Sequence, residues 1–139
     1  MLSPILAPAA VLIAWTLLML IWMAATRGPA IGKLAPNQLK LGARGPDLDG
    51  VIDDRINWKA HNYDHLLEQP TIFYATIFIL AFAGFSKADV VLAWAYVSLR
   101  VAHSMWQAAV NRQPTRVLLF LLSSVFLIAL AVRALLRVL

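Results

Sequence analysis

A chain of 139 residues, 61% of them hydrophobic and 14% charged, with a mean hydropathy of +0.74, lacks the polar surface that a soluble domain of this size needs. The absence of cysteine excludes disulfides, thiolate metal sites and a protein thiol nucleophile, so any sulfur chemistry needs a thiol carried by a substrate. The net charge of +5 would suit nucleic acid, but the basic residues are placed as membrane topology places them, and no nucleic-acid partner is expected.

A membrane-spanning helix needs about 20 mostly apolar residues. Residues 4–25, 66–85, 89–110 and 117–136 each supply such a stretch. The helices themselves are expected over about 4–26, 57–85, 87–110 and 115–137 of a single domain, 1–139. The first is read as a retained helix, because no Lys or Arg precedes its apolar run and the run exceeds a signal peptide's h-region of about 7–15 residues. The long first connection, about residues 27–56, carries Gly28-Pro29, Gly45-Pro46 and the acidic residues Asp47, Asp49, Asp53 and Asp54, all turn or loop signals. Within the second helix Pro70 removes a backbone donor and predicts a kink that frees a carbonyl near Leu66. The second connection is tight: Gly84 suits a C-cap, and Ser86 with Asp89 reads as a capping box. Pro114 is placed to open the last helix. Short connections favour an antiparallel, up-down four-helix transmembrane bundle, an all-α integral membrane fold.

The charges orient this bundle. Arg27, Lys33, Lys40, Arg44, Arg55 and Lys59 lie in or beside the first connection, and Arg112 and Arg116 flank the third. Only Lys87, Arg133 and Arg137 lie at the opposite end. The positive-inside rule then puts the first and third connections in the cytoplasm of a multi-pass protein, in the inner membrane if the source is a bacterium.

Polar residues inside the spans fall on two helices. Tyr96, Arg100, His103, Gln107 and Asn111 are spaced four, three, four and four apart, which places them on one helical face. Asn57, His61, Asp64, His65 and Glu68 are spaced to share a face of the second helix. Counting about 1.5 Å per residue from the cytoplasmic ends, Glu68 and Arg100 lie at one depth, His65 matches His103, and His61 matches Gln107. The expected result is a polar ladder whose innermost rung is a Glu68–Arg100 pair. A charge near the bilayer centre costs ~2.5 to over 10 kcal/mol depending on method, so such groups are paired and turned inward. The pair either fixes helix packing or binds a ligand directly, His61 and His65 either complete hydrogen bonds or line a site, and Arg112 and Arg116 either set topology or meet a ligand.

The run His65-Leu66-Leu67-Glu68-Gln69-Pro70-Thr71-Ile72-Phe73-Tyr74, and Arg100-Val101-Ala102-His103 leading to Arg112-Gln113-Pro114-Thr115-Arg116, resemble the MAPEG family, the membrane-associated proteins in eicosanoid and glutathione metabolism. The resemblance covers about residues 57–136 and suits a bacterial-type member. It implies a homotrimer of four-helix bundles among membrane lipids, with glutathione bound near the cytoplasmic face as thiol co-substrate. It further implies a transferase- or peroxidase-like activity in which the glutathione thiolate attacks a lipophilic small molecule. By the same resemblance Arg116 is the catalytic residue that stabilises the thiolate, while Arg27, His65, Glu68, Arg100, His103, Gln107 and Arg112 line the glutathione site. His61 and His65 stand where the family's eicosanoid synthases carry an arginine and an asparagine, and Gln107 replaces a tyrosine that contacts glutathione. Two alternatives stay open: a metal site of His61, His65 and Glu68 (H-x3-H-x2-E), completed by His103, and a non-catalytic protein that binds lipid or a partner.

Overall fold

The computed structural model describes residues 3–139. They form five α-helices that make four rods: α1 (Leu6–Ile31), α2 (Asp54–Glu68) continued by α3 (Pro70–Ala83), α4 (Lys87–Ala109) and α5 (Gln113–Val138). A single 3-10 turn, Gly45–Leu48, interrupts the first connection. No strand occurs among the described residues, and the chain is an antiparallel four-helix membrane bundle.

The boundaries follow local chemistry. The first helix runs past residue 26 to Ile31 and takes up Gly28-Pro29, which the sequence places in a loop. The Thr26 hydroxyl donates to the Trp22 and Met23 carbonyls just before the proline, and the last turn closes with the Gly32 N–H on the Gly28 carbonyl. At the other end of the first connection, Asp53 caps α2 by accepting the Arg55 N–H at 2.7 Å, so that helix starts three residues before 57. Pro70 divides the second rod, for it opens α3 and leaves Gln69 as a single residue with helical dihedrals (φ −60°, ψ −38°) between the two segments. The capping box read from Ser86 and Asp89 is present, with the Ser86 N–H donating to Asp89 Oδ2 at 2.7 Å. Gly84 ends α3 at φ +99°, ψ +143°, a conformation that suits only glycine.

Three rods, Leu6–Ile31, Asp54–Ala83 and Gln113–Val138, are long and apolar enough to cross a membrane. α4 has the length, about 34 Å at 1.5 Å per residue. It falls short in hydropathy because it holds the buried polar side chains, and it packs against α1, α2 and α5, which cover them. The outer surface is apolar: Phe82, Leu136, Val91 and Ile21 are all more than 60% exposed. In water this would be one large sticky patch, whereas in hydrocarbon it is the ordinary lipid-facing surface. The chain is therefore an integral membrane protein.

The bundle is divided along its length. Away from the long connection the core is dry, built from Ile5, Leu12, Ile77, Leu80, Val97, Leu127 and Leu130. Its floor is Phe73 stacked on Tyr96, with ring centroids 4.5 Å apart. Toward the first and third connections the interior turns polar, with Arg100, His103, Ser104 and Gln107 all buried.

Candidate functional site

α4 supplies the inner wall of the polar half. Tyr96, Arg100, His103 and Gln107 are buried on one face, and Asn111 follows where the helix ends. Asn111 takes a left-handed conformation (φ +52°), which asparagine tolerates better than most residues, and its Oδ1 accepts the Arg116 guanidinium at 2.6 Å. The turn between α4 and α5 thereby fixes the arginine at the mouth of a cleft. That cleft, of about 170 Å3, is lined by His65 from α2, His103 from α4, and Arg116, Val117 and Phe120 from α5.

Aromatic contacts set the wall. The His65 and His103 rings lie 5.0 Å apart, and Phe120 is 5.4 Å from His65 and 6.2 Å from His103. The Arg100 guanidinium sits over the Phe120 ring, 5.9 Å from its centroid. Beneath them Gln69 ties three helices together: its amide donates to Ser124 Oγ at 2.8 Å, and its carbonyl accepts the Tyr96 hydroxyl at 3.4 Å.

Of the expected rungs, His65–His103 forms and the other two do not. Glu68 accepts His65 Nδ1 at 2.9 Å, one turn back on its own helix, and its side chain is 69% exposed at the cleft's edge. Arg100 instead donates through Nη2 to the His65 backbone carbonyl at 3.1 Å. That carbonyl lies in the last turn of α2, where helical carbonyls run out of intrahelical donors, so it is available to a buried cation. His61 turns outward to Asp49 at 3.0 Å, latching the first connection to α2 rather than meeting Gln107. The inward position at that level belongs to Asn62, which is 1% exposed.

Several buried polar atoms have no protein partner: Arg100 Nε and Nη1, Gln107 Oε1, and both amide atoms of Asn62. A buried donor or acceptor left unpaired costs about 1–3 kcal/mol, more when charged.

Of the expected site residues, His65, His103 and Arg116 line the cleft, Glu68, Arg100 and Gln107 are near it without lining it, and Arg27 and Arg112 lie apart. Arg27 donates to the Gly45 carbonyl at 2.5 Å and pins the first connection to α1. That connection is further tied by Asn57 Nδ2 on the Leu48 carbonyl (3.0 Å) and by Lys40 on Asp47 (2.8 Å). The Arg44 N–H, with Lys40 beside it, holds the Asp47 carboxyl below the usual carboxylate range. Arg112 is exposed, and its backbone carbonyl accepts the Trp106 indole at 3.1 Å. His61, His65 and Glu68 do not converge, since the first faces Asp49 while the other two face each other; among the described residues no three His, Asp or Glu side chains come together as metal ligands. Sequence reasoning missed Asn62, Gln69, Phe120 and Ser124. The signal for Phe120 was its place four residues after Arg116 on the same helical face.

The family model described as the MAPEG family matches residues 5–136, nearly the whole chain. No curated protein and no solved structure gives a significant match.

Proposed function

The chain belongs to the MAPEG family, and from that premise we propose that the cleft takes the thiol end of glutathione, activates the sulfur as thiolate and directs it at a lipophilic electrophile or hydroperoxide held from the bilayer. The observation that carries this reading is that Arg116 lines one small cleft beside two histidines, with the buried Arg100 guanidinium behind the Phe120 ring that lines the same cleft. Glutathione would supply the sulfur that a chain without cysteine lacks, together with two carboxylates. Guanidinium forks suit carboxylates, and the free Nε and Nη1 of Arg100 fit one. A free thiol has a pKa of roughly 8.5, and a cation beside it raises the thiolate fraction at neutral pH. Arg116, which lines the cleft and is held by Asn111, would take that role.

Ligand pockets generally enclose about 300–1,000 Å3, whereas the cleft within one chain holds about 170 Å3. The remainder of the tripeptide must then be covered by something else, and we assign that cover to a neighbouring copy in a homotrimer. Glu68 supports this: its carboxylate is exposed on a spanning helix, where lipid is a poor neighbour and a second subunit is a good one. By the positive-inside rule the basic excess at the first and third connections supports a cytoplasmic position for this end of the bundle, where glutathione is available.

The test is turnover in proteoliposomes. Glutathione-dependent conjugation of a lipophilic halonitroarene, or reduction of a lipid hydroperoxide, is expected, with kcat/KM lowered by about 100-fold in Arg116→Ala, the size of effect seen when an anion-stabilising donor is removed. Folded protein without glutathione-dependent turnover of any electrophile or hydroperoxide would leave the bundle as a lipid- or partner-binding protein, with its polar ladder serving packing alone.

A further inference from the structure

An arginine stabilises a thiolate but cannot make one, because its guanidinium already carries its proton and does not give up that charge at neutral pH. The thiol proton therefore needs an acceptor. We propose that His65, oriented by Glu68, is the base that takes this proton; the inference rests on the reading of the cleft as a glutathione site.

Three features favour His65. Its Nδ1 lies 2.9 Å from Glu68 Oε2, and a carboxylate there makes Nδ1 the donor and leaves the lone pair on Nε2. The ring lines the cleft beside Arg116, and Nε2 has no protein partner among the described residues. His103 and Phe120 pack against the ring from two other helices and fix its plane. His103 also lines the cleft, but it is 2% exposed and no carboxylate orients it among the described residues. The charged groups facing His65 are thus Glu68 on its own helix, Arg100 across on α4 and Arg116 on α5, with His103 as the other titratable neighbour.

In the step proposed, the S–H bond breaks, its electron pair stays on sulfur and the proton bonds to His65 Nε2. Nδ1–H remains on Glu68, whose negative charge balances the imidazolium. The sulfur pair then forms the bond to the electrophile, and Nε2 returns its proton to the atom that receives the electron pair of the bond broken there. No other oxidant or reductant is required. A purely structural His65–Glu68 pair, a helical i,i+3 contact, would leave proton traffic untouched.

Proton counting separates the two. Full-length protein in nanodiscs at neutral pH is mixed with saturating glutathione in weak buffer containing a pH indicator, and ultraviolet thiolate absorbance is followed with proton release. The wild type is expected to gain thiolate while releasing well under one proton per site, and His65→Asn to release about one per thiolate formed. Conjugation by His65→Asn is expected to slow by roughly 100-fold and to recover in part with added imidazole. Should that variant not fold, Glu68→Gln is expected to raise the proton release of the wild type, and unchanged release would overturn the proposal. Thiolate with a full proton released by the wild type, or an unaltered His65→Asn, overturns the base assignment alone. Failure of the wild type to bind glutathione, read separately by calorimetry, overturns the glutathione reading and the base with it.

Discussion

Arg100 is fully buried, yet a single backbone carbonyl meets one of its five donors. Arg133, at the other end of the bundle, behaves in the opposite way. Its Nε meets the buried Asp89 carboxylate and its Nη2 meets Ser86 Oγ at 2.9 Å, so the start of α4 is clamped to the end of α5. One arginine is paired with a buried carboxylate and the other meets only a backbone carbonyl, which separates a structural cation from a candidate binding one. Arg133→Ala should therefore destabilise the protein, because it leaves the buried Asp89 carboxylate short of a partner. Denaturant titration in detergent reads this directly, and an unchanged midpoint would show that the clamp carries no stability. The residue pattern on α4 was legible in the sequence because a step of three or four positions fixes a helical face whatever surrounds it. The partner of each polar group was not. Depth arguments set Glu68 and Arg100 level with one another, but they do not say which way Glu68 points around its helix, and His65 one turn back is the nearer partner.

The number of rods and their order could be read from apolar runs alone, and their ends could not. Gly28-Pro29 looks like a stop, yet α1 continues to Ile31. A proline removes one donor without forbidding the last turn, and the Thr26 hydroxyl caps carbonyls in the turn before it. Pro70, by contrast, reads as a kink freeing a carbonyl near Leu66; the helix is interrupted at Pro70, and the carbonyl that Arg100 uses is that of His65, the residue before Leu66. The tight turn between α3 and α4 depends on a backbone feature rather than on packing. Gly84 takes a φ of +99°, and a Cβ built there would meet nothing within 4 Å. The effect of Gly84→Ala is therefore backbone strain alone, a loss of about 1–3 kcal/mol. A lowered melting temperature in detergent is expected, without change in glutathione affinity, because the turn lies at the end of the bundle away from the cleft. A drop in affinity as large as the drop in stability would mean that the two ends of the bundle are coupled.

At the scale of the molecule, an apolar belt surrounds an interior that is dry at one end and polar at the other. The basic first and third connections lie beside the polar end. This division was legible because hydropathy reports the belt and the spacing on α4 reports the interior. The size of the cleft was not legible: it depends on Phe120 filling the space between two histidines and a buried arginine, contacts between helices that no local pattern encodes. The central claim is that this cleft turns a thiol into a thiolate. Its most direct test is a titration of glutathione into the solubilised protein at neutral pH, followed by ultraviolet thiolate absorbance. A saturable signal that disappears in Arg116→Ala is predicted. Folded protein that gives no signal at saturating glutathione, or a signal that Arg116→Ala leaves intact, would contradict it.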